Sequence, residues 1–386
     1  MRGLSYRISA LLDALPLDAI IAHWRYDASL SRRDLRLDFL RGLCLAVMVI
    51  DHLWRSALHL VTKEFIGTVS GAEGFVFISG LVAGIVYTRR LHEHGWREVT
   101  RRLFRRAGQL YLAHQGFLLL CLAYLAATDV WSPREDLTRG IVAVMWDLLT
   151  LRYQPSLFDV LPMYIAFVIL MPAALWLLAT GRTAWLVILS VSAYLYHIFH
   201  PYALSRTVIL GERGPNPVFP FLSWQLLFFL GAALGHHRDR LTRWWARIPR
   251  WPFYGLLFAA FALFFAYRQA LNLGILYPDR ATYRFWFDKS LLGPGRVANF
   301  LVVFALALLV LDRFWAPLAQ TVGRVLIPLG QHSLYVYLMH IVLIYAALAI
   351  PQAWVPSMGR SALEIGAVLL LWAMVRRRFL FRLVPW

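Results

Sequence analysis

Residues 32–53, RRDLRLDFLRGLCLAVMVIDHL, decide the fold. A basic flank leads into an apolar helix, and Asp51 and His52 sit near its far end. Ionisable groups inside a membrane span are costly and rare, so by default they mark a functional site. At about 100° per residue, Asp38, Arg41 and His52 share one helical face, and at about 1.5 Å per residue His52 lies roughly 21 Å along the axis from Asp38. Asp51 stands aside from that face, spaced to meet Arg55 at i,i+4. One reading is a structural Asp51–Arg55 ion pair with His52 as a packing residue. The other makes His52 a general base facing a polar cavity, because an imidazole titrates near neutral pH.

Composition agrees with a membrane setting. The 386 residues are 60% hydrophobic and 16% charged, with a mean hydropathy of +0.59. A soluble domain of this length cannot cover so much apolar surface. Several runs reach or approach the roughly 20 apolar residues needed to cross a bilayer. Reading apolar runs against breakers predicts an all-α, polytopic integral membrane protein with about ten transmembrane helices. The spans run approximately 38–58, 73–90, 107–127, 158–179, 184–200, 219–236, 252–271, 297–312, 327–349 and 361–377. Residues 141–149, IVAVMWDLL, are too short to cross and are expected in the interface. The alternation of a membrane β-barrel is absent.

The formal charge of +18 suggests nucleic acid, but its distribution argues for lipid. Arg25 to Arg36, Arg89 to Arg106, Arg182, Arg238 to Arg250, Arg313 with Arg324, and Arg376 to Arg382 fall in alternate connections. That is the positive-inside pattern, and with ten spans it places both termini in the cytoplasm. No basic patch with interleaved aromatics stands apart from the spans, so no nucleic-acid partner is expected. The opposite connections, near 128–157, 201–218 and 272–296, are rich in aromatic, Pro and acidic residues and are where binding function is expected. Residues 1–31 read as a cytoplasmic segment, with an interfacial helix over 8–22 and no cleavable signal. Residues 32–380 form the membrane domain, and 381–386 a cytoplasmic tail. Cys44 and Cys121 lie in separate spans and make neither a disulfide framework nor a zinc site, so no metal is expected.

Other clusters carry chemistry. In REVTRRLFRRAGQLY, residues 97–111, Arg102 and Arg106 stand at i,i+4, as do Arg101 and Arg105. Planar guanidinium forks on one face suit phosphate oxygens. The plain alternative is a topology anchor. Glu73, in SGAEGFVFISGLVAGIVY, opens the second span where His52 should emerge. It is placed to orient the imidazole, to bind a sugar hydroxyl, or simply to favour the helix dipole. In LRYQPSLFDVLPMY, residues 151–164, Asp159 is flanked by Tyr153 and Gln154, with Asp147 nearby. Carboxylates, amides and aromatic rings suit a carbohydrate, whose hydroxyls need polar partners and whose apolar faces stack. Asn216, Trp224 and Gln225 form a second such group, although interface aromatics are normal in any membrane protein. In GQHSLYVYLMH, His340 falls close to mid-membrane and either supports the site or is a core hydrogen bonder. The chain shows no GxSxG elbow, P-loop, HExxH or Rossmann fingerprint.

RDLRLDFLRGL with DHL, AEGFVFISGLVAGIVY, LRYQPSLFDVLPMYI, SWQLLFFLGAALG and LGQHSLYVYLMH together resemble the OpgC family, in order from about 32 to 345. That family comprises inner-membrane proteins that succinylate osmoregulated periplasmic glucans. The chain is also similar to the wider acyltransferase-3 superfamily, which has ten helices, a first-span histidine and a cytoplasmic RxxxR. The resemblance implies a multi-pass protein of the bacterial inner membrane. It implies acyl transfer from succinyl-CoA or acetyl-CoA, as donor substrate and not as a bound cofactor, to a glycan hydroxyl. His52 would be catalytic with Asp51 and Glu73. Arg102, Arg106 and Arg41 would hold the donor, and Asp159, Tyr153, Gln154 and Trp224 the acceptor, with His340 and Arg55 in support. A succinyl donor brings a carboxylate that must be paired near the transfer site, and Arg41 and Arg55 are the expected partners. Two other classes stay open: a transporter or flippase of a glycan or lipid intermediate, and a non-catalytic scaffold of envelope assembly.

Overall fold

The computed structural model describes residues 25–27, 33–53, 56–64, 66–127, 140–152, 157–201, 219–348, 350 and 357–382. Arg55, Tyr153, Gln154, Asn216, the proposed interfacial helix and residues 383–386 lie outside the described residues.

Among the described residues the fold is all-α. The first helix, α1 (Leu35–His52), starts where Asp34 caps it. The Asp34 carboxylate accepts from the Arg36 backbone N–H and pairs with the Arg36 guanidinium at 2.9 Å and with Arg238 at 3.0 Å. A one-turn helix, α2 (His59–Thr62), follows. Next comes α3 (Gly71–Ala127), broken at Gly95, which has φ 75° and ψ 174°. In a straight helix Tyr87 and Gln109 would stand roughly 33 Å apart. Both line one cavity, so the chain turns back at Gly95, where only glycine takes that backbone conformation freely. The arginine-rich stretch expected as a loop between two spans is helical on both sides of this break.

The chain continues through α4 (Ile141–Leu149), α5 (Val160–Ala179), α6 (Thr183–Phe199), α7 (Phe221–His236), α8 (Arg238–Trp245) and α9 (Arg250–Asn272). Then follow α10 (Arg280–Phe287), α11 (Pro294–Arg313), α12 (Trp315–Gln320), α13 (Gly323–Gln331), α14 (Ser333–Leu348) and α15 (Ser357–Arg376). The connection expected as a loop over 272–296 therefore contains a helix, α10, started by Asp279 accepting from the Thr282 N–H at 2.9 Å.

Small residues set the tightest packing. A Cβ on Gly80 or Gly84 would collide with the backbone of Phe228 or Ala232, and one on Gly231 or Gly235 with that of Phe77 or Leu81. The first half of α3 and α7 thus meet backbone to backbone, which small residues allow in lipid where side-chain hydrophobicity gives no drive. Gly42 and Gly330 do the same for α1 and α13, against Leu326 and Asp38. α13 and α14 meet at 100°, so the ninth expected span is a bent pair. Pro328 removes a backbone donor just before the bend at His332.

Among the described residues four helices, α3, α5, α9 and α11, are long and apolar enough to cross a membrane, or five if the bent pair counts as one. The ten spans expected from the sequence are not all of that kind. α1 carries Arg36, Asp38, Arg41 and Asp51 within its 18 residues, and α6 and α7 have 17 and 16 residues. Only 6% of the apolar window of α9 is buried within the chain, which suits contact with lipid.

Candidate functional site

α1 ends beside a cavity of about 220 Å³ that collects residues from six parts of the chain. Asp51 and His52 come from α1, Ser70 and Gly71 from the start of α3, and Asp159 from the step before α5. Phe219 precedes α7, Lys289 lies between α10 and α11, and Tyr337 and His340 come from α14. The His52 and His340 rings stack with centroids 5.9 Å apart and planes 28° off parallel. His340 is buried and its Nδ1 bonds to the Tyr337 carbonyl. A carbonyl only accepts, so Nδ1 carries a proton in this contact. The ring read as either a support of the site or a core hydrogen bonder is both buried and part of the cavity wall. Tyr337 in turn donates its hydroxyl to the Leu157 carbonyl at 2.8 Å, tying α14 to the strip that carries Asp159.

Other candidates are placed differently. Asp51 accepts from the Thr62 hydroxyl at 2.6 Å and lies 3.8 Å from His59 Nδ1. Glu73 is fully buried and does not line the cavity that His52 lines. Its carboxylate pairs with Arg296 Nε at 2.5 Å and accepts from the Ser70 N–H at 2.9 Å and the Ser70 hydroxyl at 2.6 Å. Arg296 also pairs with Glu64 at 2.8 Å, and Arg268 with Glu64 at 3.5 Å. This network fixes the Ser70–Ala72 wall of the cavity. Trp224 is buried and packs edge-on against Phe219, so it stands behind the cavity wall. Gln225 is bound to Ser190.

A second cavity, of about 680 Å³, is a basic basin. It is lined by Tyr87, Arg90, Glu98, Gln109 and all four arginines of the RRLFRR run. Arg102 and Arg106 are half-buried, whereas Arg101 and Arg105 are exposed. Glu98 holds both Arg101 and Arg102 at 2.5 Å.

A third cavity, of about 180 Å³, lies between the two. It shares Tyr87 and Arg106 with the basin, and Val160 and Tyr337 with the histidine cavity. Arg41, Ser79, Tyr164 and Ser333 also line it. Arg41 belongs to this middle section, where its guanidinium reaches the Ile78 carbonyl at 3.5 Å. Shared lining residues thus link the three cavities in series, with Arg41 in the middle one.

Residues 33–382 match the family described as OpgC protein, which is nearly the whole chain. The chain belongs to the OpgC family. Neither a search of curated proteins nor one of solved structures returned a match. Its long apolar helices make this OpgC protein a membrane protein. No group of three or more potential metal ligands occurs among its described residues.

Sequence reasoning missed Lys289, Arg296, Ser70 and Tyr337. One signal was available for the first. Of the 39 Lys and Arg residues, only Lys63 and Lys289 are lysines, leaving 37 arginines. A lysine in so arginine-rich a chain is an exception worth placing. Arg296 gave no such signal, because its partners are more than 200 residues away.

Proposed function

We propose that this OpgC protein is an O-acyltransferase of the bacterial inner membrane. It carries an acyl group, succinyl on the strength of the family resemblance, from cytoplasmic acyl-CoA to a hydroxyl of a periplasmic glucan. The observation that carries the reading is the series of three cavities joined through Tyr87 and Arg106 at one end and Val160 and Tyr337 at the other. A donor with phosphates at one end, a long amide-bearing arm and a reactive thioester at the other end needs a path of that kind.

In this reading Arg102 and Arg106 hold the phosphates, and charge-assisted forks give both strength and direction. Ser79, Tyr164, Ser333 and Arg41 offer hydrogen bonds to the arm through the middle section. The thioester reaches the histidine cavity. There His52 takes the proton of the acceptor hydroxyl as its oxygen attacks the thioester carbonyl. The C–O bond forms, the C–S bond breaks, and the coenzyme A thiolate leaves and is protonated. His340 backs the His52 ring, and Asp159 and Asp51 are placed to receive acceptor hydroxyls.

The test is mass spectrometry of periplasmic glucans from a deletion strain carrying wild-type protein or His52→Ala. The reading predicts glucan that is exported but unacylated in the deletion strain and in the variant. Accumulation of unexported glucan in the deletion strain would point to a transporter, and full acylation by His52→Ala would remove the histidine from the chemistry.

A further inference from the structure

The histidine cavity contains one lysine. Lys289 is its only lysine or arginine among the described lining residues. Its ammonium lies 5.5 Å from the Phe219 ring centroid, and it makes no hydrogen bond or ion pair with the described residues. Asp51 and Asp159 line the same cavity but stand outside ion-pair distance of it. The ammonium attracts both carboxylates across the cavity but bonds neither, so its three N–H donors remain open to a further acceptor.

The turn that presents Lys289 is firmly built. Asp288 accepts from the Leu291 N–H at 2.9 Å, the Gly293 N–H bonds to the Asp288 carbonyl at 3.1 Å, and the Leu292 N–H bonds to the Lys289 carbonyl at 3.2 Å. Leu291 and Leu292 are buried, and the Tyr194 hydroxyl donates to the Leu292 carbonyl at 2.8 Å. Leu292 takes φ 53°, a conformation that packing must impose on a leucine. Arg296, locked between Glu73 and Glu64, also reaches the Phe287 carbonyl at 3.4 Å, fixing the other side of the turn. The chain thus spends buried residues and a strained backbone on holding one lysine at the transfer site.

We infer that Lys289 is the specificity-determining residue for the acyl group: its ammonium receives the terminal carboxylate of an acidic acyl chain and so selects it over a neutral one. This rests on the acyltransferase reading. It assigns the carboxylate to Lys289 in place of Arg41, while Arg55, the other partner expected from the sequence, lies outside the described residues. Arg41 faces the middle section, and the exposed Lys63 does not line the cavity. A short acidic chain arriving beside His52 meets the ammonium in the same small volume, and a charge-assisted contact of this kind is favourable only where a partner is placed for it.

The experiment offers purified protein in proteoliposomes an equimolar mixture of succinyl-CoA and acetyl-CoA with glucan, and reads the ratio of the two products by mass spectrometry. Wild type should favour succinyl. Lys289→Met should lower the succinyl-to-acetyl ratio about 10- to 100-fold, with acetyl transfer retained. Lys289→Arg should keep most of the preference, and Lys63→Met should leave it unchanged. If Lys289→Met does not fold, Lys289→Gln takes its place. An unchanged ratio, or a parallel loss of both products, overturns the assignment of Lys289 alone while acyl transfer stands. No transfer by wild type from either donor overturns the acyltransferase reading and the inference with it.

Discussion

The histidine cavity and the arginine basin are built in opposite ways. The basin is large, and four of its five arginines come from one continuous run of α3, two of them exposed, with Arg90 facing them from before the Gly95 break. The histidine cavity is about a third of that volume and draws on α1, α3, α14 and three connecting segments. A buried ion network of Glu73, Arg296 and Glu64 stands behind it. A large basin lined by partly exposed cations suits a phosphate-bearing ligand that must enter and leave. A small, braced cavity suits a chemical step that requires fixed geometry. Changes at the two ends should therefore differ in size and in kind.

The largest effect belongs to His52→Ala. As a general base it contributes about 100- to 10,000-fold, so glucan acylation should fall to background. Its ring is exposed at the end of α1, so the protein should still purify as a monodisperse species. Acylation within a few-fold of wild type would transfer the chemistry to His340 or elsewhere.

Next comes the brace. Arg296→Met leaves Glu73 buried without its cation, and breaking a buried pair on one side costs about 3–5 kcal/mol. Thermal unfolding in detergent should show a clear drop. Adding Glu73→Gln to Arg296→Met should recover part of it, because the uncompensated charge is gone. Equal loss in the single and double variants would mean that the network does not act as a unit.

At the basin, Arg102→Lys and Arg106→Lys keep charge but lose the planar fork. The KM for acyl-CoA should rise about tenfold with kcat little changed, the signature of lost ground-state binding. Arg376→Lys, remote from the three cavities, should change KM by less than about twofold. Equal tolerance at both places would reduce the arginine run to a topology signal.

The smallest effect concerns the start of α1. Burial pushes the Asp34 carboxyl up, but the hydrogen bond from Arg36 and the charges of Arg36 and Arg238 prevail and hold it below the ordinary range. A depressed carboxylate contributes stability that is present above its unfolded pKa and is lost as pH falls through its folded pKa. Asp34→Asn should therefore lower the melting temperature slightly near neutral pH, by the equivalent of about 1 kcal/mol for a weakened cap, and the difference from wild type should shrink in acid. A constant difference down to low pH would show that the charge of Asp34 plays no part.

The same contrast explains what the sequence could reveal. The RxxxR spacing and the helical face of α1 are local, so the arginine run and the position of His52 at the end of α1 could be read from periodicity, although spacing alone did not separate Arg102 and Arg106 from Arg101 and Arg105. The all-α class and a turn between the spans at 73–90 and 107–127 followed from apolar runs, whereas a break confined to Gly95 within helix and the bend at His332 depend on packing that periodicity does not encode. Glu73 looked like a partner for His52 because both were placed at the same end of adjacent spans. Its true partner, Arg296, lies 223 positions away and belongs to an element that carried no motif. Lys289 was hidden for the same reason, since it comes from a connection between helices and reaches the cavity only through tertiary structure.

The central claim is a relay through the three cavities, with the donor held at the arginine end and the acceptor at the histidine end. Its most direct test uses sealed proteoliposomes of defined orientation, with labelled acyl-CoA supplied only on the arginine side and glucan only on the histidine side. The account predicts labelled glucan in the compartment opposite the donor, and its loss when Ala83→Trp blocks the middle cavity that Ala83 lines. Acylation only when donor and acceptor share a compartment, or at the full rate through the blocked cavity, would contradict it.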